Sequence, residues 1–116
     1  MSAPPTIERR LLLDAGLAAW NTTRVDVRSI RFEPGQATGL HRHPCHVIGY
    51  IAEGAAVLEV EGQPPQHLPT GAAFHEPAGR KILRFDNASA SLPLHFIATY
   101  LLAGEQPLIE MLEERG

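Results

Sequence analysis

A chain of 116 residues fits one hydrophobic core and has no room for a second, so residues 1–116 read as a single domain. With 44% hydrophobic and 20% charged residues the chain is not of the disordered class, and a net charge of -3 gives no attraction toward phosphate backbones or anionic lipid, so neither nucleic acid nor membrane is an expected partner. The single cysteine, Cys45, excludes an internal disulfide, the run Leu11 to Leu13 is stopped by Asp14 short of a secretory leader, and a cytoplasmic, reduced protein is expected.

Ten glycines and ten prolines are spread along the chain and cut it into short pieces. The runs between them have β character: Thr23 to Phe32, Gly39 to His43, Val47 to Ala52, Ala55 to Val60, Ala72 to His75, Lys81 to Phe85 and Leu94 to Leu102. In the first run Val25 and Val27 have opposite parity to Ile30 and Phe32, which predicts a bulge or a strand that changes partners. Ala55 to Glu61 alternates, as a strand wet on one side does. Leu94 to Leu102 is apolar on both faces, which predicts cover by the barrel on one side and by a partner subunit on the other, hence a homodimer. After Pro107 the stripe Leu108, Ile109, Met111, Leu112 predicts a short C-terminal helix in the tail 103–116, outside a barrel core of about 23–102.

His41-Arg42-His43 carries the clearest chemistry. On an extended strand residues i and i+2 share a face about 7 Å apart, so two imidazoles there can converge on one ion. Imidazole pairs suit Zn, Fe, Cu, Ni or, with carboxylate help, Mn.

The segment Gly35, five residues, His41, His43, then Gly54 resembles the first motif of the cupin superfamily, and Gly71, Pro77 and Gly79 resemble its second. The stretch from His41 through Glu53-Gly54 also looks like the small stand-alone cupins. The resemblance spans about Val25 to Leu102 and implies an all-β fold, a single cupin jelly-roll barrel (double-stranded β-helix), with a divalent metal as cofactor. The family's glutamate ligand falls on Val47, or on Ile48 with one residue of slack, and the second motif's histidine falls on Ile82. Neither is a ligand, so the resemblance supplies two groups of the usual four.

His46 is the expected third ligand, through a parity slip at Pro44; Cys45 has the right parity and is the alternative, or a small core residue. Val47 and Ile82 are expected on the pocket floor, with Tyr50 and His75 as further substrate-binding candidates. Arg84 shares parity with Ile82 and Asp86: it either binds a substrate carboxylate or pairs with Asp86, and the opposite reading has it exposed. Trp20 reads as pocket or core, His95 as core or interface, and His67 as a loop residue without a role.

Two functions follow. The first is a metal-binding cupin acting on a small molecule, a metal-dependent enzyme of undefined reaction. The second is a metal-free small-molecule-binding cupin without catalytic activity, which the apolar Val47 and Ile82 favour. No arrangement for nucleophilic or glycosidase catalysis is present in the sequence.

Overall fold

The computed structural model describes residues 3–113. Among them the chain forms β1 (Arg24–Phe32), β2 (His41–Arg42), β3 (His46–Glu53), β4 (Ala56–Val60), β5 (Gln66–Leu68), β6 (Ala73–Glu76), β7 (Lys81–Asn87), β8 (Leu94–Leu102) and β9 (Glu110–Met111). All strand pairs are antiparallel, in a four-stranded sheet of order β1-β8-β3-β6 and a five-stranded sheet of order β5-β4-β7-β2-β9. Their inner faces meet in one core, with Ile51, Phe74 and Phe96 from the first sheet against Leu58, Ile82 and Phe85 from the second. The Phe85 ring lies 4.8 Å from Phe96, 5.1 Å from Phe74 and 6.1 Å from Phe32, all in tilted or edge-on contacts. Burial of each such side chain stabilises the fold by about 1.5–3 kcal/mol.

β8 alternates without a break: Leu94, Phe96, Ala98, Tyr100 and Leu102 are buried, and the residues between them half-buried. That partial cover on the outer face comes in part from Trp20, whose indole N–H donates to the Leu101 carbonyl at 2.9 Å.

Three expectations change. The tail is not helical over its described part: Glu110 and Met111 pair with Arg42 and His41, and the Leu112 N–H donates to the Leu40 carbonyl. A helix so short cannot persist alone, and the open edge of β2 offers it ladder bonds instead. Residues 114–116 of that tail lie outside the described residues. The bulge expected in β1 is absent, its register with β8 running unbroken from Arg24 to Phe32; Val25 and Val27 are simply exposed on the outer face. The register shifts fall elsewhere, between Ile51 and Glu53 of β3 and where β7 passes Glu59 and Val60 of β4. His67 lies in strand β5, paired with Val57, rather than in a loop.

Candidate metal centre

His41 lies in β2, His43 just beyond it, and Glu76 closes β6 before Pro77 ends that strand. Gly39, at φ +80°, turns the chain into β2 with a backbone that suits glycine. The pleat sends His41 and His43 inward and leaves Arg42 exposed, ion-paired with Glu110 at 2.9 Å. The two histidines and Glu76 meet on the wall of a cavity of about 220 Å³, whose other walls are mainly apolar.

The imidazoles are oriented from behind. His41 Nδ1 lies 2.9 Å from the Gly39 carbonyl, and His43 Nδ1 lies 2.7 Å from the Leu108 carbonyl. A carbonyl only accepts, so each neutral ring carries its proton on Nδ1 and turns a bare Nε2 inward. Glu76 Oε2 stands 2.5 Å from His43 Nε2 and 3.6 Å from His41 Nε2. With the ring protons committed elsewhere, these approaches bring lone pairs together, and Glu76 Oε2 is a buried oxygen that accepts no hydrogen bond. Such an oxygen costs about 1–3 kcal/mol. The three groups, with ligand atoms all within 4.8 Å of one another, lack one thing that chemistry would place among them, a cation.

The charges of His41 and Glu76 are coupled. Burial lowers the pKa of His41, but the Glu76 carboxylate and the Gly39 carbonyl outweigh it and hold His41 above its ordinary value. Burial raises Glu76, but the two histidines outweigh it and hold Glu76 below the usual carboxylate range. Tyr100, its ring edge-on to His43 at 5.7 Å, is pushed up to about 12 by burial and then by the charge of Glu76.

Of the residues singled out from the sequence, the structure brings together His41, His43 and Val47, all on the cavity wall. His46 is not among them. Val47 points inward, so alternation turns His46 to the outer face, where its Nδ1 sits 2.9 Å from His75 Nε2 and accepts the Ala78 N–H. Trp20 stands edge-on to the same ring at 5.0 Å, outside the cavity. His75 is therefore an outer-face residue too, and Tyr50, 43% exposed, shares that face. Ile82 is fully buried opposite His41 but does not reach the cavity. Arg84 faces outward beside Asp86 at 3.2 Å, because the register shift in β7 puts Phe85, not Arg84, on the face of Ile82. Cys45 is buried with its thiol pKa raised by burial, and lies apart from the three gathered groups.

Glu76 escaped the sequence reading. Its signal is positional: it immediately precedes the Pro77-Ala78-Gly79 turn, and in the β3–β6 ladder it is the direct partner of Val47. The carboxylate sought at Val47 stands one strand away, on the same face.

A two-sheet jelly-roll barrel with an imidazole–carboxylate cluster inside it is the architecture of a cupin. The cupin domain family matches residues 28–100, more than half of the chain, and the chain belongs to that family. No curated protein matches it. Among solved structures it is similar to the DMSP lyase DddQ from Ruegeria pomeroyi, with TM-score 0.65 and 21% identity over 75% of this chain and 42% of that one. It is similar also to a cupin-like protein from Thermotoga maritima, with TM-score 0.64 and 25% identity over 76% of this chain and 64% of that one. A third is an oxalate oxidase in complex with the substrate analogue glycolate, with TM-score 0.65 and 19% identity over 76% of this chain and 46% of that one. The chain thus spans less than two thirds of the length of each.

Proposed function

We propose that this protein is a metal-dependent cupin enzyme acting on a small molecule, with His41 Nε2, His43 Nε2 and a Glu76 oxygen as the protein ligands of one divalent ion. The observation that carries this reading is the orphaned Glu76 oxygen, buried between two imidazoles whose protons are spent on backbone carbonyls. Two histidines and one carboxylate are a ligand set suited to Fe, Mn, Zn or Ni, and they leave coordination positions open toward the cavity. An ion held there would supply Lewis acidity or redox chemistry. The chain's own part is to fix both rings through the Gly39 and Leu108 carbonyls, to supply one negative charge, and to surround the site with mainly apolar walls. The likeness to a lyase and an oxidase is compatible with this reading, while their low identity leaves the reaction open. The metal-free alternative draws on Val47 at the cavity wall, but it leaves the Glu76 oxygen without a partner.

Metal analysis of untagged protein tests the proposal. Close to one equivalent of a transition metal is expected, lost in His41→Ala and Glu76→Gln; a wild-type protein that takes up no Mn, Fe, Ni, Cu or Zn overturns it. The reading includes a homodimer, supported by the exposed Val25 and Val27 on the outer face of β1 and by the half-buried outer residues of β8. Sedimentation velocity tests that part, and a monomer at high micromolar concentration removes it.

A further inference from the structure

The walls of the cavity divide into two ends of different chemistry. Phe32, Phe74, Phe85 and Phe96 line it with aromatic faces and edges, Phe85 touching the other three rings. The polar side chains are His41, His43, Glu76, Thr38 and Tyr100. Thr38 is already engaged, its hydroxyl within 3.2 Å of the Phe85 and Gly39 carbonyls. Tyr100 is different: it is 7% exposed, lines the cavity beside His43, and takes part in no side-chain hydrogen bond formed among the described residues. Asp26, which faces Tyr100 across the β1–β8 ladder, is occupied by Arg28 at 2.8 and 3.2 Å.

A phenol with an ordinary pKa near 10 keeps its proton at neutral pH, so Tyr100 offers the cavity wall a donor that no side chain or backbone group of the described residues engages. A divalent ion beside one carboxylate and two neutral imidazoles leaves one net positive charge at the same end. An ammonium group is disfavoured there, and an oxyanion is favoured twice over. The aromatic end favours a flat apolar body, since rings pack on rings edge-on or offset. An apolar cavity of roughly 150 Å³ already admits benzene. The cavity here, at about 220 Å³, has space for such a ring with a small head group and for little more.

We infer that the cavity takes a small carboxylate carried on a flat apolar body, its head held between the metal centre and the Tyr100 hydroxyl and its body against Phe74, Phe85 and Phe96. This rests on the metal-centre reading above and names the ligand class of that site. Tyr100 is then a residue that positions the ligand and sets its specificity.

Calorimetric titration of the zinc-loaded protein with benzoate, acetate and benzamide tests the assignment, after zinc affinity has been measured by itself. Benzoate should bind at least about tenfold more tightly than acetate, which lacks the body, and than benzamide, which lacks the charge. Tyr100→Phe should weaken benzoate about tenfold or more while zinc affinity stays unchanged. Ile30→Trp, on the edge strand β1 at the cavity wall, should abolish benzoate binding by filling the space and leave acetate and zinc binding in place. Equal binding of benzoate and acetate, or an undiminished benzoate affinity in Tyr100→Phe, overturns the assignment and leaves the metal centre standing. Failure to take up zinc or any other divalent ion overturns the metal centre and the assignment with it.

Discussion

Val47 and Glu76 are direct partners across the β3–β6 ladder, both buried with side chains on the inner face. Directly opposed residues hold their Cβ atoms about 4.5–5.5 Å apart, so a carboxylate on either strand can reach one ion. Glu76→Gln should lower metal affinity by more than about 100-fold, beyond the range seen when an outer-shell partner is lost. Val47→Glu placed in that background should restore part of the affinity, because it returns a carboxylate to the same spot from the other strand. Metal titration by competition with a chromophoric chelator measures both. A double variant no better than Glu76→Gln would show that the strand of origin matters in its own right.

The barrel was readable because turn residues and alternation are local: the run Leu94 to Leu102 coincides with β8, and Lys81 marks the start of β7. The site was readable only in half. His41 and His43 lie on one strand face, and a period of two suffices to bring them together. Glu76 joins them through the pairing of β6 with β3, which no local pattern encodes. For Arg84, which the sequence left open between an inward and an exposed placement, the register shift in β7 decides for the exposed one, paired with Asp86. His46 shows the converse, because alternation from Val47 alone turns it outward. His46→Ala should therefore keep its full metal content while losing the Trp20 and His75 contacts, with a modest drop in Tm. Loss of metal in that variant would contradict the outward placement.

The C-terminal segment belongs to the site although it supplies no ligand. Leu108 accepts the His43 Nδ1 proton at 2.7 Å, Ile109 lines the cavity, and β9 covers the open edge of β2. A chain ended after Glu105 should fold but leave His43 free to rotate and exchange tautomers. Metal affinity should fall about 10- to 100-fold, as when an outer-shell partner of a ligating histidine is removed. Isothermal titration on the shortened chain measures it, and unchanged affinity would mean that the carbonyl does not set the ring.

Gly49 makes room for Phe74. The two are ladder partners, and a Cβ at position 49 would stand 2.0 Å from Phe74 Cζ, well inside van der Waals contact. The distal end of the Phe74 ring occupies the space that a side chain at position 49 would need. Gly49→Ala must push Phe74 toward Phe85 and Phe96, at about 1–3 kcal/mol for overpacking. In a domain of about this size each kcal/mol lowers Tm by roughly 4–8 °C, or somewhat less for longer chains. Differential scanning calorimetry gives the shift, and a Tm within about a degree of wild type would place the ring elsewhere.

Acid and alkali should act on the centre in opposite senses. His41 is held above its ordinary 6.5, so its protonated form stabilises the metal-free fold below that value and the contribution is lost as pH rises through the raised pKa. Glu76 is held below its ordinary 4.5, so its ionised form stabilises the fold above that value and the contribution is lost as pH falls through the lowered pKa. Between the two, a protonated His41 forms an ion pair with Glu76 at 3.6 Å without giving its oxygen a hydrogen bond. A metal ion takes the place of that proton, and its binding releases one proton for as long as His41 is charged in the free protein. Apparent affinity should therefore rise by up to about tenfold per pH unit until the pKa of His41 is passed, and then level off. The Tm difference between loaded and metal-free protein should widen as pH rises from about 6.5 through the raised pKa of His41, partly because loading gains and partly because the metal-free form weakens. Calorimetry in two buffers of unlike ionisation enthalpy counts the released protons. A Tm difference that stays flat as pH rises above 6.5, with no proton released, would mean that the ion does not displace a proton from this pair.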